Sequence, residues 1–185
     1  ADESILYDAK PHIGTDVLLT VVQNLRRRIL ALGGEVRFSA QATGFLREDG
    51  ALSGLEVCER GETYTLPCRH AILAIGHSAR DTFETLLQSG VPMEPKAVSM
   101  GVRIEHRQEM VNKSQYGAFA DRLGAADYKL NVRFPDGTSA YTFCMCPGGH
   151  VVAAASEEGG VVTNGMSDFA RDGENANAAL LVTLT

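Results

Sequence analysis

Between Ala31 and Val36 the hydrophobic pattern changes period. Upstream, Val17, Leu18, Val21, Val22, Leu25, Ile29 and Leu32 recur at helical spacing behind Thr15 and Asp16, two good N-cap residues, and Gly33-Gly34 closes the run. These start and stop signals predict a helix of about 17 residues. Downstream, Val36, Phe38, Ala40 and Ala42 alternate. Asp49-Gly50 is a hairpin signal, Leu52 to Val57 reads as a second strand, and Arg60-Gly61 turns the chain into Tyr64 to Leu66. A helix followed at once by an antiparallel meander commits the chain to a mixed fold.

Ala71-Ile72-Leu73-Ala74-Ile75 is a continuous apolar run ending in Gly76, the pattern of a strand buried on both faces. A helix is predicted over Arg80 to Gln88, with Phe83, Leu86 and Leu87 on one face and Gly90 as its stop. Pro92 and Pro95 interrupt both helix and ladder, and a domain boundary is placed there. The remainder reads mainly as strand: Val98 to Ile104, Lys129 to Phe134, Thr138 to Met145, Val151 to Ala155 and Val161 to Met166. Asp136-Gly137, Pro147-Gly148-Gly149 and Gly159-Gly160 mark turns, and a short helix is expected around Gln108 to Val111. The expected class is α+β, with one part over residues 1–95 and a mainly antiparallel part over residues 96–185. The chain lacks an initiator Met and stops within the alternating stretch Leu180 to Thr185, so it reads as an internal piece of a larger protein.

Composition narrows the function classes. Of 185 residues, 44% are hydrophobic and 22% charged, which is enough apolar material for a real core. A net charge of −6 gives no electrostatic footprint for nucleic acid, and Arg26-Arg27-Arg28 reads as the solvated face of the first helix. No apolar run approaches the ~20 residues that span a bilayer, and the first residues are not signal-like, so no membrane partner and a cytoplasmic location are expected. Cys58, Cys68, Cys144 and Cys146 form no spaced zinc pairs, and His70, His106 and His150 are not clustered, so no metal site is expected. Asn112-Lys113-Ser114 fits a glycosylation acceptor that would need a secretory route.

Four stretches carry candidate chemistry. Gly76-His77-Ser78-Ala79-Arg80 is a strand-to-helix turn like the nucleophile elbow of serine hydrolases, and Ser78, then Asp127 or Asp136, then His150 follow the triad order. Arg80, however, stands where an elbow needs a small residue. In the alternative reading, Gly76 lets backbone approach a ligand and the following helix N-terminus favours a negative group. Lys10-Pro11-His12-Ile13-Gly14-Thr15-Asp16 gathers a cation, an imidazole, a glycine and hydroxyl and carboxyl groups just before the first helix. Either an N-cap loop or a ligand-facing loop explains it. Cys144 and Cys146, at i and i+2, are expected on one face of a strand, with core packing the simpler role. Asn164, Asn175 and Asn177 with Arg171 read mostly as turn chemistry, and as amides for a heterocycle edge if they line a pocket.

Several of these stretches, taken in order, resemble one family. They are Lys10 to Asp16; Leu73 to Phe83; Val98-Ser99-Met100-Gly101-Val102-Arg103-Ile104-Glu105-His106; Cys144-Met145-Cys146-Pro147-Gly148-Gly149; and Val162-Thr163-Asn164-Gly165-Met166-Ser167. Together they resemble bacterial FAD-dependent oxidoreductases of the NAD(FAD)-utilising dehydrogenase type, in the glutathione-reductase-like superfamily. The resemblance implies a partial FAD-binding domain over 1–95 and a substrate-type domain over 96–185. It also implies hydride transfer through flavin, FAD as cofactor, NAD(P)H as a candidate electron donor and a small-molecule substrate. It would set the backbone near Ala42 beside the adenine end, and Gly76, His77 and Ser78 against FAD. Gly14 and Thr15 would also contact the cofactor. Lys10, His12, Asp16, Cys144, Cys146 and Asn164 would face the flavin ring or the substrate, and no catalytic residue is assigned. The superfamily's Gly-x-Gly-x-x-Gly phosphate turn is not in this sequence, so the chain alone is expected to bind FAD poorly and to be inactive. Two other classes stay open: a non-catalytic ligand-binding or interaction module, and a serine hydrolase using Ser78.

Overall fold

The helix that stops at a glycine pair is present in the computed structural model as α2, Thr15–Ala31, after a single turn, α1, at Ile5–Asp8. Leu18 N–H donates to Gly14 O at 3.1 Å, so Thr15 and Asp16 lie inside the first turn and neither is the N-cap. Gly33 takes φ +83, and Gly33 N–H and Gly34 N–H donate to Leu30 O and Ile29 O at 3.0 Å. These bonds satisfy carbonyls that the helix end leaves open. The structure describes residue 3, residues 5–8 and residues 11–184. No helix among the described residues is long and apolar enough to cross a membrane.

The chain divides into two compact units, residues 28–95 and residues 1–27 with 96–185. In the first, β1 (Ala40–Glu48), β2 (Ala51–Glu59) and β3 (Glu62–Pro67) form an antiparallel meander. Its two hairpins turn on Asp49-Gly50 and Arg60-Gly61, and all four residues have positive φ. That is the backbone of the two-residue hairpin turn whose twist matches that of its strands. Helix α3 (Arg80–Gln88) follows, and Gln41 Nε2 donates to Asp81 Oδ2, which ties the start of the meander to the first turn of α3.

Residues 71–75 form no strand, which corrects the reading of Ala71 to Ile75 as a buried one; Ile72 is 94% exposed. A strand buried on both faces needs a hydrogen-bonded neighbour along each edge, and among the described residues none pairs with this run.

In the other unit, β4 (Val98–Arg107), β5 (Asn131–Arg133), β6 (Ser139–Cys146) and β9 (Asn175–Leu184) form an antiparallel sheet in the order β4-β9-β6-β5. A second, two-stranded sheet pairs β7 (Gly149–Ala153) with β8 (Thr163–Ser167). Helices and largely antiparallel sheets make the class α+β. Strand β9 overturns the turn reading of Asn175 and Asn177. Both are paired in register, Asn177 with Glu105 and Cys146, and Ala176, Asn177, Ala178 and Ala179 are buried in succession. A strand flanked and covered on both faces tolerates amides when neighbouring polar groups bond them.

Helix α4 (Gln108–Tyr116) extends the short helix predicted at Gln108 to Val111. Val111, Ala126 and Ala176 form a small core there, with Tyr116, Tyr128 and Met145 packed against it.

Candidate functional site

Loop 12–16 gains its shape from residues about 150 positions away. Thr15 Oγ1 donates to Ser167 O at 3.1 Å, and Asp16 Oδ1 accepts the Phe169 N–H at 2.9 Å. His12 Nε2 lies 2.9 Å from Asp168 O, and its ring stacks on Phe169 at 6.3 Å with a 10° interplanar angle. A carbonyl only accepts, so Nε2 carries the proton in that contact. Gly14 sits at φ +85, and a Cβ there would run into the Phe169 backbone. Glycine is therefore the residue that lets loop and strand end meet.

The facing wall is the turn after β6. Ser167 Oγ donates to Pro147 O at 2.8 Å, which ties the end of β8 to that turn. Gln108, 6% exposed, holds it from behind. Its Oε1 accepts the Gly148 N–H at 2.7 Å, and its Nε2 donates to Asn112 Oδ1 at 2.8 Å and to Ala126 O at 2.9 Å. Every hydrogen-bonding atom of the side chain is thus used.

Between these walls lies an open pocket of about 260 Å³ lined by His12, Gly14, Thr15, Cys146, Met166 and Arg171, among others. Arg171 has φ +52, and its buried Nε has no acceptor among the described residues. The start of α2, with Asp16 in its first turn, borders the same space.

Cys144 and Cys146 part company. The register of β6 against β9 slips between Phe143 and Cys146, and Cys144 takes φ +47. This β-bulge breaks the two-residue period, which corrects the expectation that both thiols share one face. Cys144 is exposed, whereas Cys146 lines the pocket and its Sγ lies 3.3 Å from Cys144 O. Burial pushes the Cys146 thiol above its ordinary value, against the pull of the Arg103 charge.

Of the residues singled out from sequence, His12, Gly14, Thr15 and Cys146 converge on this pocket, with Asp16 bonded at its rim. Asn164 is exposed on β8, opposite Val152, and does not line it. Lys10 lies outside the described residues. Ala42, Gly76, His77 and Ser78 belong to the 28–95 unit. Ala42 is half-buried on β1, Gly76 has φ +68 with open space where a Cβ would be, and Ser78 Oγ lies 3.0 Å from His77 Nδ1. The strand half of a nucleophile elbow is not present before Gly76. Among the described residues, no three His, Cys, Asp or Glu side chains cluster to hold a metal ion.

Sequence reasoning missed Gln108 and residues 168–169 as parts of the site, and it met Met166 and Ser167 only within the Val162 to Ser167 stretch, with no role given them. Only the i, i+4 pair Gln108 and Asn112 hints at the buried network.

Tested against a flavin, the pocket fits the ring end. Arg171 brings a cation to the pocket lining for an electron-rich heterocycle edge, and Met145, Pro147 and Met166 bring apolar surface for its face. The pyrophosphate turn of such proteins has no counterpart in these residues.

Comparison with known proteins bears on the same point. An uncharacterized protein of Clostridium beijerinckii is 49% identical over 188 residues, which take in all of this chain and 34% of that protein. The chain therefore spans about a third of the length of the curated relative it matches. Residues 97–185, which carry β4 through β9 and one whole wall of the pocket, match the family model described as FAD-dependent protein, C-terminal domain-like. By that match, residues 97–185 are similar to the C-terminal domain of FAD-dependent proteins.

Proposed function

We propose that this chain forms part of a FAD-dependent oxidoreductase, in which the pocket between loop 12–16 and the 146–148 turn receives the flavin ring or the substrate stacked on it. The observation that carries the reading is the convergence of His12, Gly14 and Thr15 with Cys146 and Arg171 on one pocket, the last two lying in the part of the chain, residues 97–185, that matches a FAD-dependent protein's C-terminal domain. Residues 1–95 are read as part of the FAD-binding region and 96–185 as the substrate-type region.

When bound, the cofactor supplies hydride transfer at N5. The chain's own residues supply position and charge. Thr15 and Asp16 fix the first turn of α2 to the 167–169 backbone at the edge of the pocket. Arg171 offers a cation toward a ring edge that gains electron density on reduction. Gly14 keeps the loop close enough to shape one wall. Ala42 and the Gly76-His77-Ser78 turn are proposed as contacts for the remainder of the cofactor, and NAD(P)H as the electron donor.

The test uses the full-length protein. Flavin absorbance that co-purifies, bleaches with NAD(P)H and shifts in wavelength on Arg171→Met supports the reading. A full-length protein that takes up no added FAD overturns it. Flavin binding with a spectrum unchanged by Arg171→Met retires the pocket assignment alone.

A further inference from the structure

A second groove lies on the other side of Arg103. It is about 570 Å³ and is lined by Ser99, Gly101 and Arg103 of β4, Leu181 of β9, Val151 of β7 and Val162 before β8. Residues 99, 101 and 103 alternate along β4 and therefore share one face of the sheet. Gly101 and Ala179 keep its floor low, and Val151, Val162 and Leu181 make its sides apolar.

Arg103 is the charge that lines this groove. Its Nη1 donates to Asn177 Oδ1 at 2.7 Å and to Cys144 O at 3.1 Å. Asn177 is fully buried, so it fixes the guanidinium as a buried strut would. Nε is shielded and has no acceptor, and among the described residues no carboxylate pairs with Arg103. The neighbouring Glu105 on the same face accepts instead from Asn175 Nδ2 at 3.1 Å. A guanidinium presents a planar fork, and among the described residues acceptors occupy only one of its terminal nitrogens.

We infer that this groove binds a small carboxylic acid with an apolar body, the carboxylate on Arg103 and the body between Val151, Val162 and Leu181. The terminal nitrogen of Arg103 that has no acceptor among the described residues selects an anion, and the aliphatic sides exclude a highly polar one. Asn177 is a positioning residue that acts through Arg103. None of the residues lining this groove lines the pocket proposed above, and its occupancy is read without turnover.

The probe is 4-fluorophenylacetate, followed by fluorine NMR line broadening on the full-length protein, with 4-fluorophenylacetamide as the uncharged comparison. The acid is expected to bind about tenfold or more tightly than the amide, as a charge-assisted pair requires. Arg103→Met is expected to abolish that preference, and Val162→Trp, on an exposed position, to weaken both probes. Equal binding of acid and amide to the unaltered protein, or no binding of either, overturns the inference whatever the variants do. So does an acid preference that survives Arg103→Met.

Discussion

The meander of residues 40–67 and the four-stranded sheet of residues 98–184 are both antiparallel, yet they are held in different ways. In the meander each strand pairs with the next, across two-residue turns whose positive φ values set the register. Only one apolar side chain of that unit, Val57, is fully buried among the described residues. In the larger sheet β4 pairs with β9, some 70 residues later, and the buried layer includes Gln108 and Asn177 among small alanines. One region is specified by turn chemistry, the other by a satisfied polar network. Position therefore matters most at the turns in the first and at buried amides in the second.

The sharpest way to break this contrast is Gln108→Leu. It strands Gly148 N–H and Ala126 O in a buried place and leaves Asn112 Oδ1 only the Ala126 N–H, and a loss of about 3 kcal/mol is expected in chemical denaturation. A loss below about 0.5 kcal/mol, the range of ordinary surface changes, would show the network to be dispensable. Next is Gly14→Ala, which meets the Phe169 backbone and an unfavourable φ; about 2 kcal/mol is expected, with faster amide exchange at Phe169. Gly61→Ala has a similar φ of +90 but nothing within 4 Å of the new Cβ. About 1 kcal/mol is expected, all from the backbone, and the gap between the two glycine variants measures the cost of close approach.

The smallest effect concerns Cys146. Its raised thiol value means that the unfolded chain ionises first. The contribution to stability is full below the unfolded thiol value of about 8.5 and falls as pH rises from there toward the higher folded value. Denaturation of Cys146→Ser across that range should flatten the decline. At neutral pH iodoacetamide should label exposed Cys144 before Cys146, and the reverse order would contradict the bulge assignment.

Much of the fold was legible where the determinants are local. Thr15 and Asp16 mark the start of α2 from inside its first turn, the glycine pair marks its end, and Asp49-Gly50 and Arg60-Gly61 fix the hairpins. The run Ala71 to Ile75 misled because apolar continuity announces a strand only if neighbours exist to pair with it. Asn175 and Asn177 misled because amides favour turns unless a partner such as Arg103 or Glu105 claims them. The pocket was half legible. Loop 12–16 stood out by residue type, but nothing in the sequence alone joins it to its partners at 166–169, some 150 residues away. Gln108 earned its place only through atoms that folding brings together.

Strand β9 has a consequence for the order of events during synthesis. It lies between β4 and β6, and it leaves the ribosome after both. The meander can close as soon as its third strand emerges, whereas β4 and β6 must wait with open edges until residues 175–184 arrive. That interval is when two unpaired ladders are open to a wrong neighbour. A holding chaperone or slowed translation just upstream of β9 would be most useful to the nascent chain then.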